Sequence, residues 1–233
     1  MRAPKKGKAQ TRISVLKNSP LISVIPQRPV EDFGTFSRFE GNPVPYEHEF
    51  YSTVFKGIFS LDLTNAGVFL KQQRAGRQNL PEDFKPTKDL TVKESDFWLS
   101  KEARIKRVKD VIEVLPHLAG GAMQARHLTR VAPSLVVLGT FKTASHLFSH
   151  LARETKGQPD LHLEALKETI TKHKALLVGK VFIGLEKGFM EHLEQALKEL
   201  SKELAEVEFY TNVFEAVTEF SKTITAVVPD TPS

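Results

Sequence analysis

The chain has 233 residues, 40% of them hydrophobic, with sixteen Phe, which is enough apolar bulk for a real core and excludes a disordered protein. Its 33 Lys and Arg stand against 28 Asp and Glu, a net charge of +5 that permits a nucleic-acid partner without demanding one. The absence of Cys excludes disulfides and thiolate metal sites, and points to a reducing, cytoplasmic setting.

Residues 1–12 carry Arg2, Lys5, Lys6, Lys8 and Arg12 and read as a flexible basic arm. The stretch that follows is broken by Lys17, Asn18 and Pro20, so it lacks the unbroken apolar core of a signal peptide. No apolar run reaches the length of a membrane span, and no membrane partner is expected.

Two short β-prone runs come next, Ile13–Leu16 and Leu21–Ile25. Between Val30 and Glu49 the glycines and prolines read as loop: Gly34, Gly41, Pro43 and Pro45 punctuate it. Phe50 to Leu63 is the clearest strand signal, with a bend expected at Gly57. From Asn79 to Ser100 the pattern is aperiodic, with Phe97-Trp98 as an anchor on the core.

Ser100 is placed to cap a helix from Lys101 to about Leu115. Its apolar stripe is Ile105, Val108, Ile112 and Leu115, and Lys101, Arg104, Lys106, Arg107 and Lys109 are assigned to the exposed side. Further on, Asp160 is expected to cap a helix over Leu161–Lys174, and Leu177–Ile183 reads as a strand. Phe189, Leu193, Leu197, Leu200 and Leu204 fall at helical spacing. Val207–Tyr210 is a short strand, and Asn212 with Glu215 forms a capping box for a last helix through Phe220. Residues 226–233 are expected to be a flexible tail, leaving 13–225 as a single domain. The alternation of strands and helices in the second half predicts an α+β fold, a sheet with helices mainly on one face, as in ferredoxin-like or RNA-recognition folds.

Two stretches carry chemistry suited to an anionic backbone. Leu118–Phe141 opens on Gly120 and Gly121, presents Gln124, Arg126, His127 and Arg130, and ends in the apolar run Leu135–Leu138. Glycine lets backbone N–H groups approach a phosphate, and Arg supplies planar donors. The second stretch, Lys71–Arg77, offers Lys71, Arg74 and Arg77 beside a flexible Gly76. The competing reading of the first is a helix terminus and a loop with incidental positive charge.

Catalytic signatures are absent: there is no GxSxG elbow, no phosphate loop and no GxGxxG. Asp32, Asp62 and Asp83 are carboxylates without a partner in spacing. His146 and His150 sit at the spacing of a zinc helix, but no third ligand is evident, so no metal or other cofactor is assigned.

Taken together, Gly41–Leu63, Gly67–Leu80, Arg104–Leu138 and Val181–Phe189 resemble the CRISPR-associated DevR autoregulator family, the repeated backbone subunit of type I Cascade surveillance complexes. The resemblance covers about Val24 to Phe220. It implies a modified RNA-recognition (ferredoxin-like) palm with inserted thumb and finger segments, here about 26–48 and 71–99. Relative to that family the palm strand and helix ahead of Val24 are expected to be missing, with the basic arm in their place. The implied function is non-catalytic: copies polymerise along a CRISPR RNA, with other Cascade subunits, and support pairing of the guide with target DNA. Two alternatives stay open, a metal-dependent endoribonuclease of a CRISPR complex using Asp32 or Asp83, and a regulatory protein-interaction module without RNA.

Overall fold

The computed structural model describes residues 12–36, 41–70, 80, 84–85, 90–93, 96–120 and 128–230. They form a mixed α/β chain of small sheets and four α-helices. In chain order the strands are β1 (Leu16–Asn18), β2 (Ile22–Ser23), β3 (Val30–Phe36), β4 (Val44–Phe50), β5 (Phe55–Lys56), β6 (Phe59–Leu61), β7 (Val68–Leu70), β8 (Leu90–Lys93) and β9 (Asp96–Leu99). Helix α1 (Lys101–Glu113) follows, then β10 (Leu135–Phe141), β11 (Ala152–Thr155), β12 (Gln158–Leu161) and α2 (Leu163–Lys172). The chain closes with β13 (Leu177–Leu185), α3 (Glu194–Glu203), β14 (Val207–Tyr210) and α4 (Val213–Val227).

The first third is a single interrupted antiparallel ribbon. β1 pairs with β6, β2 with β5, and β3 with β4. Backbone bonds across the gaps, from Ser19 N–H to Ile58 O and from Val24 N–H to Val54 O, keep the two sides in step. The segment read as loop between Val30 and Glu49 is therefore the outer half of this ribbon. Its prolines are tolerated because a two-stranded ribbon has two outer edges, where a missing N–H breaks no ladder. The predicted break at Gly57 separates β5 from β6, and only the inner end, Phe59, Leu61 and Leu63, packs on the core. The aperiodic segment before Ser100 also contains strands, since β9 joins β7 and β8 in a three-stranded sheet with Phe97 buried.

The central sheet has the order β10-β13-β14, antiparallel and then parallel. β13 and β14 are joined through α3, the crossover that a parallel pair requires. Side chains alternate along β13. Phe182 joins Val136, Leu138 and the buried stripes of α1 and α4, while Val181, Ile183 and Leu185 join the stripes of α2 and α3. Helices thus cover both faces, not mainly one. The reason is visible in β13 itself, which is apolar on both sides (Val181 to Leu185 are all buried) and must be covered twice.

Caps follow the expected chemistry at α1 and α4. Ser100 Oγ accepts from Ala103 N–H at 3.2 Å. Asn212 Oδ1 accepts from Glu215 N–H at 2.6 Å, and α4 runs on to Val227. Residues 226–230, expected as part of a flexible tail, are tied down: Val228 is buried, Pro229 O accepts from Arg104, and Asp230 pairs with Lys101 at 2.5 Å. Residues 231–233 lie outside the described residues.

Asp160 does not cap α2; His162 does, accepting from Ala165 N–H through Nδ1 at 3.2 Å. A hairpin precedes that helix, turned by Lys156 and Gly157 at φ of +52° and +77°, the left-handed pair a two-residue turn of this hand demands. Asp160 sits in β12, where its carboxylate accepts from Thr155 Oγ1 and Leu161 N–H, both at 2.8 Å, and faces Arg153 and His192. Burial pushes its pKa up, but the bonds from Thr155, His192, Leu161 and Arg153 outweigh that and hold it below the ordinary carboxylate range. A depressed pKa contributes stability above the unfolded value that is lost as pH falls through the folded one. Asp160→Asn is therefore expected to cost about 1–2 kcal/mol at pH 7, measured by urea unfolding. The gap from wild type should close as the pH drops below about 4; a gap that persists there would point to shape and not charge.

Candidate nucleic-acid interface

Arg12 is the clearest surprise in the charge map. Assigned to the flexible arm, it is instead fixed against the start of the ribbon and β7. Its guanidinium donates to Val68 O at 2.6 Å and Asn65 O at 3.2 Å, and lies 4.5 Å from the centre of the Phe69 ring. Burial lowers its pKa, and the neighbouring Arg107 lowers it further. Two arginines thus share one locality with no carboxylate pairing either among the described residues. Lys109, two residues along α1, is likewise without a carboxylate partner, whereas Lys101 and Lys106 are neutralised by Asp230 and by Asp110 at 2.7 Å. The uncompensated charge on α1 is therefore narrower than the sequence implied. Its Arg107 part lies by Arg12 and so near β7, whose last residue, Leu70, leads directly into Lys71–Arg77, whereas Lys109 is on another side of the helix.

Arg104, counted on the exposed side of α1, is 1% exposed. It occupies the position one helical turn before Val108 and extends the buried stripe. Nε donates to Ala66 O at 2.7 Å, one terminal nitrogen to Pro229 O at 2.9 Å, and the other to Thr64 O at 2.9 Å and Leu63 O at 3.3 Å. Burial lowers its pKa, while the ring of carbonyls satisfies the charge. It is a structural clamp and is not available to a ligand.

Of the predicted site residues, the structure describes Gly120 and Arg130. Gly120 has φ of +96°, a region open to glycine and strained for other residues, at the exit from the short turn after α1. Arg130 is well exposed, and its guanidinium stands 3.6 Å from Glu186, whose carboxylate also accepts from Val213 N–H at the start of α4. That partner takes part of its charge, so Arg130 is a weaker phosphate ligand than its spacing suggested. Gly121, Gln124, Arg126, His127, Lys71, Arg74 and Arg77 lie outside the described residues, as does Asp83.

The other carboxylates have ordinary explanations. Asp62 accepts from the N–H groups of Thr64 and Asn65 and from Asn65 Nδ2, which closes the turn after β6. Asp32 lies opposite His48 in the exposed ribbon. One side of the β3–β4 ribbon carries Glu31, Glu47 and Glu49, with carboxylate oxygens within 4.8 Å of one another, a like-charge grouping that weakens the ribbon. The opposite side is a ladder of rings: Phe36 to Tyr46 at 6.5 Å, Tyr46 to His48 at 4.9 Å, and His48 to Phe50 at 6.1 Å between centroids. The ribbon overlaps the predicted thumb segment 26–48, and its strands hold carboxylates and rings but no Lys or Arg.

Sequence reasoning missed Arg12 because a terminal Arg after four other cations resembles a solvated tail. The available signal was the apolar run Val68-Phe69-Leu70, whose Phe69 offers a ring on which a guanidinium can lie. Among the described residues no helix is long and apolar enough to cross a membrane. No protein-family model matches the chain, and no curated protein matches it.

Proposed function

We propose that this protein is a non-catalytic, RNA-binding backbone subunit of a CRISPR surveillance ribonucleoprotein, with several cytoplasmic copies lining a guide RNA and supporting its pairing with target DNA. The family resemblance of Gly41–Leu63, Arg104–Leu138 and Val181–Phe189 suggests the role, and with it the RNA-recognition palm. The observation that carries the binding is the pairing of Arg12 with Arg107 beside β7, at the root of Lys71–Arg77. Like charges brought together cost stability where no carboxylate pairs them, as none does among the described residues, and a polyanion relieves that cost. A backbone subunit must accept any guide, so phosphate contacts from Arg107, Arg126 and the cations of Lys71–Arg77 suit it better than base-specific ones. The ring ladder of the ribbon adds a surface on which bases stack without regard to sequence, while its carboxylates keep phosphates away.

Filter binding of a mixed-sequence single-stranded RNA across a salt series tests this. Each phosphate contact removed should reduce the log–log salt slope by about 0.7. Arg107→Ala with Arg126→Ala is expected to lower both affinity and slope, equally for RNAs of unrelated sequence. Binding and slope unchanged in that variant, or no RNA binding at low salt, would sink the proposal.

A further inference from the structure

Seven of the eight histidines are described, and four have evident structural work. His162 caps α2, His192 pairs with Asp160, His117 packs edge-on against Phe214 at 4.7 Å, and His48 stands in the ring ladder. The remaining three, His146, His150 and His173, all line one half-open cavity of about 290 Å³, together with Glu168, Thr169, Leu147 and Lys172. Among the described residues none of the three imidazoles, nor the Glu168 carboxylate, has a hydrogen-bond or ion-pair partner.

The local structure explains why they meet. Leu166, Thr169 and Ile170 form the buried stripe of α2, and His173, its C-terminal cap, is the next position on that stripe. Glu168 stands one turn and a residue before it. The turn that follows β10 places His146 and His150 four residues apart, across the cavity from the end of α2.

We propose that His146, His150, His173 and Glu168 form a binding site for a divalent transition-metal ion of the zinc class. Three neutral imidazoles and one carboxylate are a tetrahedral donor set for such an ion, and unsuited to calcium or magnesium, which take oxygen ligands. No three of the four donor atoms lie within 4.8 Å of one another, so the ion draws them in by side-chain rotation. His146, His150 and Glu168 are exposed, and their long reach across the cavity allows this. Among the described residues Lys172 is the one cation on the cavity and opposes the ion, but its flexible stem lets the ammonium swing to solvent. The bound ion would fasten the turn after β10 to the end of α2 and close one end of the second core. This site is separate from the Arg12–Arg107 locality and does not depend on an RNA-binding role.

Titration of the full chain with Co²⁺ and with Zn²⁺ tests the site. One equivalent of Co²⁺ should bind with the visible absorption of a tetrahedral complex, be displaced by Zn²⁺, and raise Tm. His150→Ala, a change at an exposed position, should weaken binding about tenfold or more, and His173→Ala likewise. Glu31→Gln, Glu47→Gln and Glu49→Gln together should leave it unchanged. Absence of saturable binding overturns the site. So does binding that survives the two histidine variants or is lost in the ribbon variant.

Discussion

Arg104→Ala is expected to unfold the protein more readily than any other single surface-to-core change, by about 3–5 kcal/mol. The guanidinium bonds Leu63, Thr64, Ala66 and Pro229 carbonyls from the first turn of α1. Truncation leaves those acceptors without a donor in a site closed to water, each worth about 1–3 kcal/mol if wholly unsatisfied. It also opens a cavity above Gly67, where the Arg104 stem passes so closely that a Cβ on residue 67 would meet Cγ at 2.7 Å. The clamp joins three separate pieces: the turn before β7, helix α1 and the docked end of the chain. Its loss should therefore loosen residues 228–230 and β7 together, visible as lost amide-exchange protection at both. A Tm fall of roughly 10 °C or more is expected for a chain this size. Arg104→Lys should fall between, because one ammonium cannot reach all four carbonyls. A Tm within about 2 °C of wild type for the Ala variant would show that water replaces the guanidinium without cost.

Gly184→Ala should cost about 2–3 kcal/mol. Gly184 lies in β13, opposite Val136 and Tyr210 on the two sides of the ladder. A Cβ there would come within 2.7 Å of Ala216 Cβ and 2.9 Å of both Asn212 O and Val213 Cα. Two of those three atoms are backbone at the start of α4, so no rotamer change relieves the contact and the helix must lift from the sheet. That movement would also strain the Asn212 cap and the packing of Phe182 on Phe220, whose centroids are 5.6 Å apart. Gly139→Ala is the informative comparison. Its Cβ would crowd the Phe141 ring, at 2.8 Å, and meet Val181 Cγ2 at an ordinary 3.5 Å, and a ring at the end of a strand can turn aside. Unfolding in urea should show Gly184→Ala as clearly the weaker of the two; equal losses would mean that α4 slides freely over β13.

Elements governed by near neighbours were legible in the sequence. Ser100 and Asn212 are three residues from the N–H groups they accept, so their caps follow from local chemistry alone. The apolar runs of β10 and β13 and the stripes of α1 and α3 likewise follow from periodicity. The inner strands of the ribbon fall within or overlap the predicted β runs, but their pairing and the outer strands β3 and β4 were not legible, because the pairing joins residues up to about 45 positions apart and the outer half buries too little to impose an alternating pattern. The hairpin before α2 was hidden because Asp160 has the chemistry of a cap, and only the Lys156-Gly157 turn shows that it bonds across a ladder instead.

By itself the sequence determined the α+β character, the caps of α1 and α4, the apolar strands that demand cover and the net positive charge. Which charges are usable was decided by tertiary structure. Arg104 is consumed inside the fold, Lys101 and Lys106 meet Asp230 and Asp110, and Arg130 leans on Glu186, while Arg12 and Arg107 are left together with no carboxylate pairing either among the described residues. The physical reason is distance: a side chain's charge state and partners depend on groups brought within a few ångströms by the fold, and no spacing along the chain encodes them.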